Sequence, residues 1–484
     1  MSGMEIDGAV KPKIRRCRHR RRVVWVAVLA AALLLVWSGL FLSTYHYPFY
    51  WDDYHQVRSY SWNELLSAWH GWSDPDKLET PAFRPVATLL FAIQGSTFGE
   101  NMVFQRIFMT SLMGILLFVL GLFLLELRLG LFQIGVVFAL FVFSRVFASL
   151  NMWVTLGTLI LCYILMVLAG YFFLMWMKRG RVMHVFLMFV CAAGAMLTRE
   201  EAYVLPLAVP LLWMLSARPW SAWRATLVAA LGLLAIAGIH FALRNIFVPE
   251  VRQDPNLSFT LLKLKVSLIS LASSWLPGGV STIGLVDGVL AALWISFLIG
   301  LAVMLAALGG TRPRWRVVGT CVLGCVLALP SLGAPRPFGI AMSTLAFYAA
   351  VAMAIAEVSR RLAAVEYSRR WVYYASAVYL ALGLGAGVIG GVRRSNYVAE
   401  SLHPNCIPRI AVDAILVFNL RERYVPVPEE RREAARSRFA TLGIYNVPDL
   451  YRLYTESIEH PERYERDNQQ TRTLFVPKYD YLSY

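Results

Sequence analysis

Long apolar runs separated by short polar connections follow one another along most of the chain. A helix needs about 20 residues to cross the hydrocarbon core of a bilayer, and most of these runs approach or exceed that length. We therefore predict an all-α polytopic membrane protein with about eleven transmembrane helices. The predicted spans are residues 23–43, 104–126, 131–149, 152–177, 182–198, 202–216, 224–243, 284–308, 316–333, 338–357 and 371–391.

The composition supports a membrane protein and excludes a soluble one. Of the 484 residues, 58% are hydrophobic, and the mean hydropathy is +0.56. A soluble domain of this size could not hide so much apolar surface. The net charge of +16 would indicate nucleic acid as a partner of a soluble protein. Here the basic residues lie mostly at span ends, where they orient helices, so we expect membrane lipids and no nucleic acid as partners.

The basic loops predict one orientation. After the basic N-terminus, residues 1–22, every second loop is short and holds Arg or Lys, which is typical of cytoplasmic loops. These loops are residues 125–130, 177–181, 216–224, 309–316 and 357–370. Eleven spans then place the C-terminus outside, so we predict a multi-pass protein of the plasma (inner) membrane with a cytoplasmic N-terminus.

The chain divides into a transmembrane domain, residues 23–392, and a small, polar, external C-terminal domain, residues 393–484. Two external loops of the transmembrane domain are long, residues 44–102 and 244–287. The second contains an apolar segment, residues 259–281, which is either an interfacial helix or a further span. Its two lysines favour the interfacial helix.

The first external loop opens on an acidic pair, Asp52 and Asp53, within "YWDDYH". Ser61 and Glu64 follow with the spacing of a capping box, which predicts an amphipathic helix along the membrane surface. The apolar stretch 83–99 is too short to span and leads into the second transmembrane helix. The acidic pair is either a solvated loop start or part of a site at the membrane border.

The order of these features resembles the GT-C superfamily of integral-membrane glycosyltransferases, and most closely protein O-mannosyltransferases and the bacterial aminoarabinose transferases of lipid A. The resemblance covers residues 23–360. It rests on the acidic pair after the first helix, the Arg84-Pro85 pair, the turn at Gly99 and Asn101, and "LTREEAYVLPLAVP" at 197–210 before a Pro-bearing span.

The resemblance implies transfer of a sugar from a polyprenyl-phosphate donor to a lipid, glycan or protein acceptor hydroxyl at the external face. Asp52 would be the general base. Asp53 would orient the acceptor, hold a divalent metal ion or tune the pKa of Asp52. The leaving phosphate requires fixed positive charge, for which Arg336 in "GAPRPFG", Arg84 and Arg244 are the candidates.

An ordinary structural role is the alternative for most of these residues. Arg84 is otherwise a helix-end signal. Glu200 and Glu201 form either an ordinary loop ion pair with Arg199 or a second acidic patch in the same cavity. Arg106 and Arg145 are either functional or snorkelling residues at helix ends. A set of histidines in the first loop has no metal-ligand spacing, so no cofactor is certain and the metal requirement stays open: His46, His55 and His70.

Two other classes of function remain. A secondary transporter usually carries polar groups in the middle of broken, symmetry-related helices. In this sequence the ionisable residues gather at span ends and no internal repeat is visible. A non-catalytic membrane scaffold, with the C-terminal domain as its working part, is the third alternative. The identity of the sugar and the acceptor does not follow from the residues.

Overall fold

The computed structural model describes residues 6–41, 56–74, 82–99, 101–216, 223–249, 285–308, 311–332 and 337–362, with eight single positions beyond them. All regular secondary structure in this described part is helical, and it contains no β-strand. The predicted spans from 23–43 to 338–357 each coincide with helix there. The last predicted span, 371–391, residues 250–284 of the second external loop and the C-terminal domain lie outside these ranges. The last residues of that predicted loop, 285–287, already belong to a helix.

The α-helices of the described residues are α1 (Ile6–Leu40), α2 (Trp62–Ser67), α3 (Pro85–Phe98), α4 (Met102–Glu126), α5 (Leu131–Val142), α6 (Arg145–Met152), α7 (Gly157–Arg179), α8 (Val182–Thr198), α9 (Leu205–Leu215), α10 (Trp223–Phe247), α11 (Leu285–Leu308), α12 (Thr311–Leu327) and α13 (Ala341–Leu362). Short 3₁₀ turns occur at Val154–Leu156, Glu200–Val204, Leu329–Leu332 and Pro337–Ile340.

Several of these helices are suited to cross a membrane. Five described segments are long and apolar enough: Arg20–Leu40, Met102–Glu126, Val154–Arg179, Trp223–Phe247 and Ala341–Leu362. Shorter apolar helices accompany them: Pro85–Phe98, Leu131–Val142, Val182–Thr198 and Ile295–Ala307. The described part is therefore all-helical, and its candidate spans indicate a multi-pass membrane protein.

The first helix packs along one face only. Its buried side chains follow a helical spacing and contact α4 and α5: Val26, Ala30, Leu34 and Trp37. Gly121 on α4 makes this approach close, because a Cβ atom there would clash with Val26. The opposite face of α1, including Leu35, is exposed as expected for a lipid-facing surface. The N-terminal helix is thus an integral part of the bundle.

Two of the predicted continuous spans are interrupted. The run 131–149 is split at Ser144, whose hydroxyl donates to the Phe141 carbonyl and accepts from the Phe147 amide, so that one helix ends and the next begins. The run 202–216 starts as a 3₁₀ turn, and only 11 residues from Leu205 form α-helix. At about 1.5 Å per residue, neither α5 nor α9 spans a bilayer alone.

Side-chain contacts align the helix ends. Lys178 at the end of α7 pairs with Glu126 at the end of α4, 2.9 Å apart. Arg316, near the start of α12, donates to the Leu127 carbonyl at the same end of the bundle. We call this the basic end. Because α8 runs back from it, the residues that follow Thr198 lie at the opposite end.

Candidate functional site

Three of the predicted site residues meet at the end of the bundle opposite the basic end. Arg84 binds Glu200 through two nitrogens, with Nε at 2.8 Å and Nη2 at 2.7 Å from the same carboxylate oxygen, Oε2. Arg244 approaches the other oxygen, with Nε 3.8 Å from Oε1. Two guanidinium groups therefore converge on one carboxylate, and we call these three residues the Glu200 cluster.

Each residue of the cluster stands at the end of a helix. Arg84 is the N-cap of α3, and Pro85 fits the first turn because its missing N–H has no helical partner there. Glu200 opens the 3₁₀ turn that follows α8, after Arg199 in an extended backbone conformation. Arg244 lies in the last turn of α10.

An apolar cluster beside these charges holds the three helix ends together. Its buried members are Trp72, Phe83 and Val248, and Leu197 and Leu243 pack against them. Phe83 precedes Arg84, Leu243 precedes Arg244, and Leu197 lies three residues before Glu200, so apolar burial brings the charged neighbours together. Sequence separation hides this arrangement, because Arg84 and Glu200 are 116 residues apart and Arg244 comes from a third segment.

The electrostatics of the cluster favour an ionised carboxylate and a net positive charge. Burial raises the pKa of Glu200, but the charges of Arg84 and Arg244 and the hydrogen bond from Arg84 outweigh it and hold that pKa at about 2. Two arginines against one glutamate leave one net positive charge. Such a charge at the membrane border attracts an anion.

Part of the cluster remains reachable. The Arg84 side chain keeps 29% of its area exposed, and its Nη1 atom takes part in neither contact with Glu200. The facing atoms Glu200 Oε1 and Arg244 Nε are buried and form no hydrogen bond. The cluster is thus held in place on one side by Glu200 Oε2 and offers guanidinium donors on another.

Glu201 does not join Glu200 in a common acidic patch. Its carboxylate instead accepts from Arg199 Nε at 3.3 and 3.2 Å, and Arg199 Nη1 also reaches the Thr158 hydroxyl at 3.5 Å. Burial lowers the pKa of Arg199, but the charge of Glu201 and its hydrogen bond raise that pKa by more, so the guanidinium stays charged. The two adjacent glutamates serve different cations, and the acidic-patch interpretation is replaced by two separate ion pairs.

His240 and Tyr203 adjoin the cluster and escaped prediction from the sequence. The Tyr203 hydroxyl lies 2.6 Å from His240 Nδ1. The His240 ring packs 5.5 Å from the Phe83 ring, directly before Arg84. His240 stands four residues before Arg244, so both occupy one face of α10. That spacing is the sequence signal that would have placed His240 beside Arg244.

Arg106 is a second buried cation at this end. It is 1% exposed, and its Nη1 donates to the Asn151 carbonyl at 3.1 Å. The Thr110 hydroxyl donates to the side-chain oxygen of the same Asn151. A snorkelling arginine would reach the aqueous interface, so this interpretation is wrong for Arg106.

The remaining predicted residues lie outside the described ranges. Asp52 and Asp53 fall between Phe41 and Val57 in the sequence. Val57 packs against Phe91 of α3. Arg336 follows one 3₁₀ turn and precedes another in the sequence.

The first of these turns, Leu329–Leu332, contacts the Glu200–Val204 turn. In the second, the Gly339 carbonyl accepts from Tyr163 at 3.1 Å. Both described turns, 329–332 and 337–340, thus lie at the end of the bundle that holds the Glu200 cluster.

No group of three His, Cys, Asp or Glu side chains that could hold a metal ion occurs among the residues the structure describes. No protein-family model matches the sequence, and no curated protein is significantly similar to it.

Proposed function

We propose that the protein is a glycosyltransferase that moves a sugar from a polyprenyl-phosphate donor to an acceptor hydroxyl at the external face of the membrane. The observation that carries the proposal is the Glu200 cluster, in which Arg84 and Arg244 leave a net positive charge at one end of an apolar bundle. A lipid phosphate needs such a site, since its tail stays in the bilayer while its head reaches the border.

The reaction makes one bond and breaks one. The acceptor oxygen attacks the anomeric carbon while the bond from that carbon to the donor phosphate oxygen breaks, through an oxocarbenium-like state. Asp52 takes the acceptor proton as general base. The polyprenyl phosphate leaves with the bonding electrons, and the arginines stabilise its developing charge.

Glu200 has a positioning role in this scheme. Its Oε2 atom accepts a hydrogen bond from Arg84 Nε and lies 2.7 Å from Nη2, so that the remaining donors of the planar fork keep one orientation. A charge that is held before the donor arrives needs no reorganisation during the reaction. Arg244 contributes the second guanidinium from the last turn of α10.

The decisive experiment separates phosphate binding from stability. Arg84→Gln should weaken binding of a polyprenyl monophosphate to the purified protein by about tenfold or more, because a charge-assisted hydrogen bond contributes roughly 1.5–3 kcal/mol. Arg58→Gln is the matched control, since Arg58 pairs with Glu64 in the same loop at 2.8 Å and with similar exposure. Equal losses in both variants, or no loss in either, would refute a phosphate site at Arg84.

The catalytic part is tested by single-turnover transfer from polyprenyl-phosphate-linked hexoses and pentoses. Asp52→Asn should slow transfer by roughly 10²–10⁴-fold while binding of the polyprenyl monophosphate is kept. Asp53→Asn should cost less if Asp53 only positions the acceptor, and about as much if it holds a metal ion. Normal transfer by Asp52→Asn, with normal expression, excludes Asp52 as the base.

The alternatives predict other outcomes. A secondary transporter would move a solute across vesicle membranes without consuming a lipid donor, and a scaffold would do neither. Transport that survives Arg84→Gln and Asp52→Asn would favour the transporter, and the absence of both transport and transfer in the wild type would favour the scaffold.

A further inference from the structure

Two adjoining polar contacts join the Glu200–Val204 turn to the C-terminal part of α10. Glu200 faces Arg244 at 3.8 Å, and the Tyr203 hydroxyl lies 2.6 Å from His240 Nδ1. Side chains three residues apart lie on one side of a 3₁₀ turn, and side chains four residues apart lie on one face of an α-helix. One side of the turn therefore meets one face of α10 through both pairs.

The two contacts differ in how firmly they are made. Glu200 Oε1 and Arg244 Nε are both buried, and neither atom forms a hydrogen bond. The contact between Tyr203 and His240 has the length of a short hydrogen bond, and His240 is only 4% exposed. Of the two polar contacts, the Tyr203–His240 hydrogen bond is therefore the one that holds α10 in register with the turn.

The Tyr203–His240 pair is connected to both arginines of the Glu200 cluster. The His240 ring packs 5.5 Å from the ring of Phe83, the residue directly before Arg84. It also packs edge-on against the Tyr203 ring, again at 5.5 Å between centroids. Arg244 follows His240 by one helical turn, and its charge acts on the Tyr203 hydroxyl. A change in the hydrogen bond is therefore expected to move the arginine that Glu200 holds least firmly.

We propose that the Tyr203–His240 hydrogen bond positions the Arg244 guanidinium for the phosphate group of a polyprenyl phosphate. Because the contact of Arg244 with Glu200 is loose, its planar fork can turn to an incoming phosphate. A guanidinium that is placed before the ligand arrives loses less conformational freedom on binding. The inference rests on the proposed phosphate site, and Tyr203 and His240 are positioning residues that act through Arg244.

The first test compares a charged ligand with an uncharged one of the same chain length, polyprenyl monophosphate and polyprenol. Tyr203→Phe removes only the hydroxyl, and it should weaken binding of the monophosphate to the purified full-length protein about fivefold, as the loss of one hydrogen bond implies. Binding of polyprenol should stay as in the wild type, because that ligand has no phosphate. An equal loss for both ligands would indicate a general structural defect and overturn the positioning role.

Two substitutions of His240 isolate the hydrogen bond. Asparagine and leucine have the same branched shape, but only asparagine keeps an acceptor where Nδ1 lies. His240→Asn should retain most of the monophosphate binding, and His240→Leu should lose as much as Tyr203→Phe; equal binding by the two variants would overturn the proposal. If His240→Leu fails to fold, Tyr203→Phe decides alone. Tyr60→Phe is the matched control, since it removes a hydroxyl that donates to the Gln56 carbonyl outside the cluster.

Action through Arg244 is tested by a double variant. In an Arg244→Gln background, Tyr203→Phe should weaken monophosphate binding no further. A second fivefold loss there would show that Tyr203 acts independently of Arg244 and would overturn the proposal. Arg84→Gln, measured in parallel, separates the two levels of inference. Wild-type binding by Arg84→Gln would overturn the phosphate site and the positioning role together, whereas a loss in Arg84→Gln with none in Tyr203→Phe would overturn the positioning role alone.

Discussion

The sharpest consequence of the Glu200 cluster is a pH-dependent contribution to stability. In the folded protein the pKa of Glu200 lies at about 2, against an ordinary value of 4.5. At about 1.4 kcal/mol per pKa unit, this difference corresponds to roughly 3 kcal/mol of folding free energy at pH 7. The carboxylate is mostly shielded, with 17% of its side chain exposed, so solvent screening removes little of that value.

The perturbation is Glu200→Gln, which keeps the shape of the side chain and removes the charge between Arg84 and Arg244. We expect it to lower the free energy of unfolding by roughly 3 kcal/mol at pH 7, because two arginines lose their shared counter-ion. The folded-state pKa is the lower one, so the stabilisation is complete above pH 4.5 and is lost as the pH falls toward 2. At pH 3 the difference between wild type and variant should shrink to about 1 kcal/mol.

The assay is SDS-induced unfolding of the purified proteins in mixed micelles at pH 7 and pH 3. Glu64→Gln is the control. Burial raises the pKa of Glu64, but hydrogen bonds from Arg58 and Ser61 outweigh it and lower that pKa to about 2. Unlike Glu200, Glu64 keeps 29% of its side chain exposed. Solvent screening should limit its cost to about 1 kcal/mol. A Glu200→Gln cost that is the same at both pH values, or no larger than that of the control, would refute the reasoning.

Three further outcomes are expected. Gly121→Ala should lower the free energy of unfolding by about 1–3 kcal/mol, because the added methyl group overpacks against Val26. A second change, Val26→Ala, should restore at least half of the lost free energy, and no recovery would contradict the close contact of α1 with α4. In a cysteine-free background, a membrane-impermeant maleimide should label His70→Cys in intact cells and leave Arg181→Cys unlabelled, and the reverse pattern would invert the orientation. Arg336→Ala should weaken donor binding while Arg336→Lys recovers only part, because lysine lacks the planar fork; full activity of both makes Arg336 a structural residue.

Local sequence patterns predicted the helical elements well. The capping box at Ser61 and Glu64 is present with both of its hydrogen bonds. The short apolar stretch after Arg84 forms a single 14-residue helix that ends at Gly99, and Asn101 caps the next helix. These features depend on neighbours a few residues apart, which is why composition and spacing reveal them.

Interruptions of the helices were harder to foresee. Ser144 is one small polar residue in an apolar run, and its hydroxyl is equally compatible with a continuous helix that bonds its own carbonyls. Whether it ends a helix depends on what packs around it, in this case Phe141 and Phe147, whose rings lie 5.6 Å apart. Hydropathy averages over such a residue and therefore predicts one span where the structure has two helices.

The ion pairs of the candidate site show where sequence reasoning stops. Arg84, Glu200 and Arg244 are each recognisable in the sequence as charged residues at span ends. Their neighbours in the sequence, however, favoured one group of Arg199, Glu200 and Glu201. The structure divides these charges by helix geometry, since Arg199 turns toward Glu201 while Glu200 faces two arginines from distant segments. A buried charge in an apolar bundle is costly unless it is paired. The sequence therefore indicates that Glu200 needs a cationic partner, but not which one. Which partners are within reach depends on tertiary packing, here on the apolar cluster of Trp72, Phe83 and Val248 beside the charges.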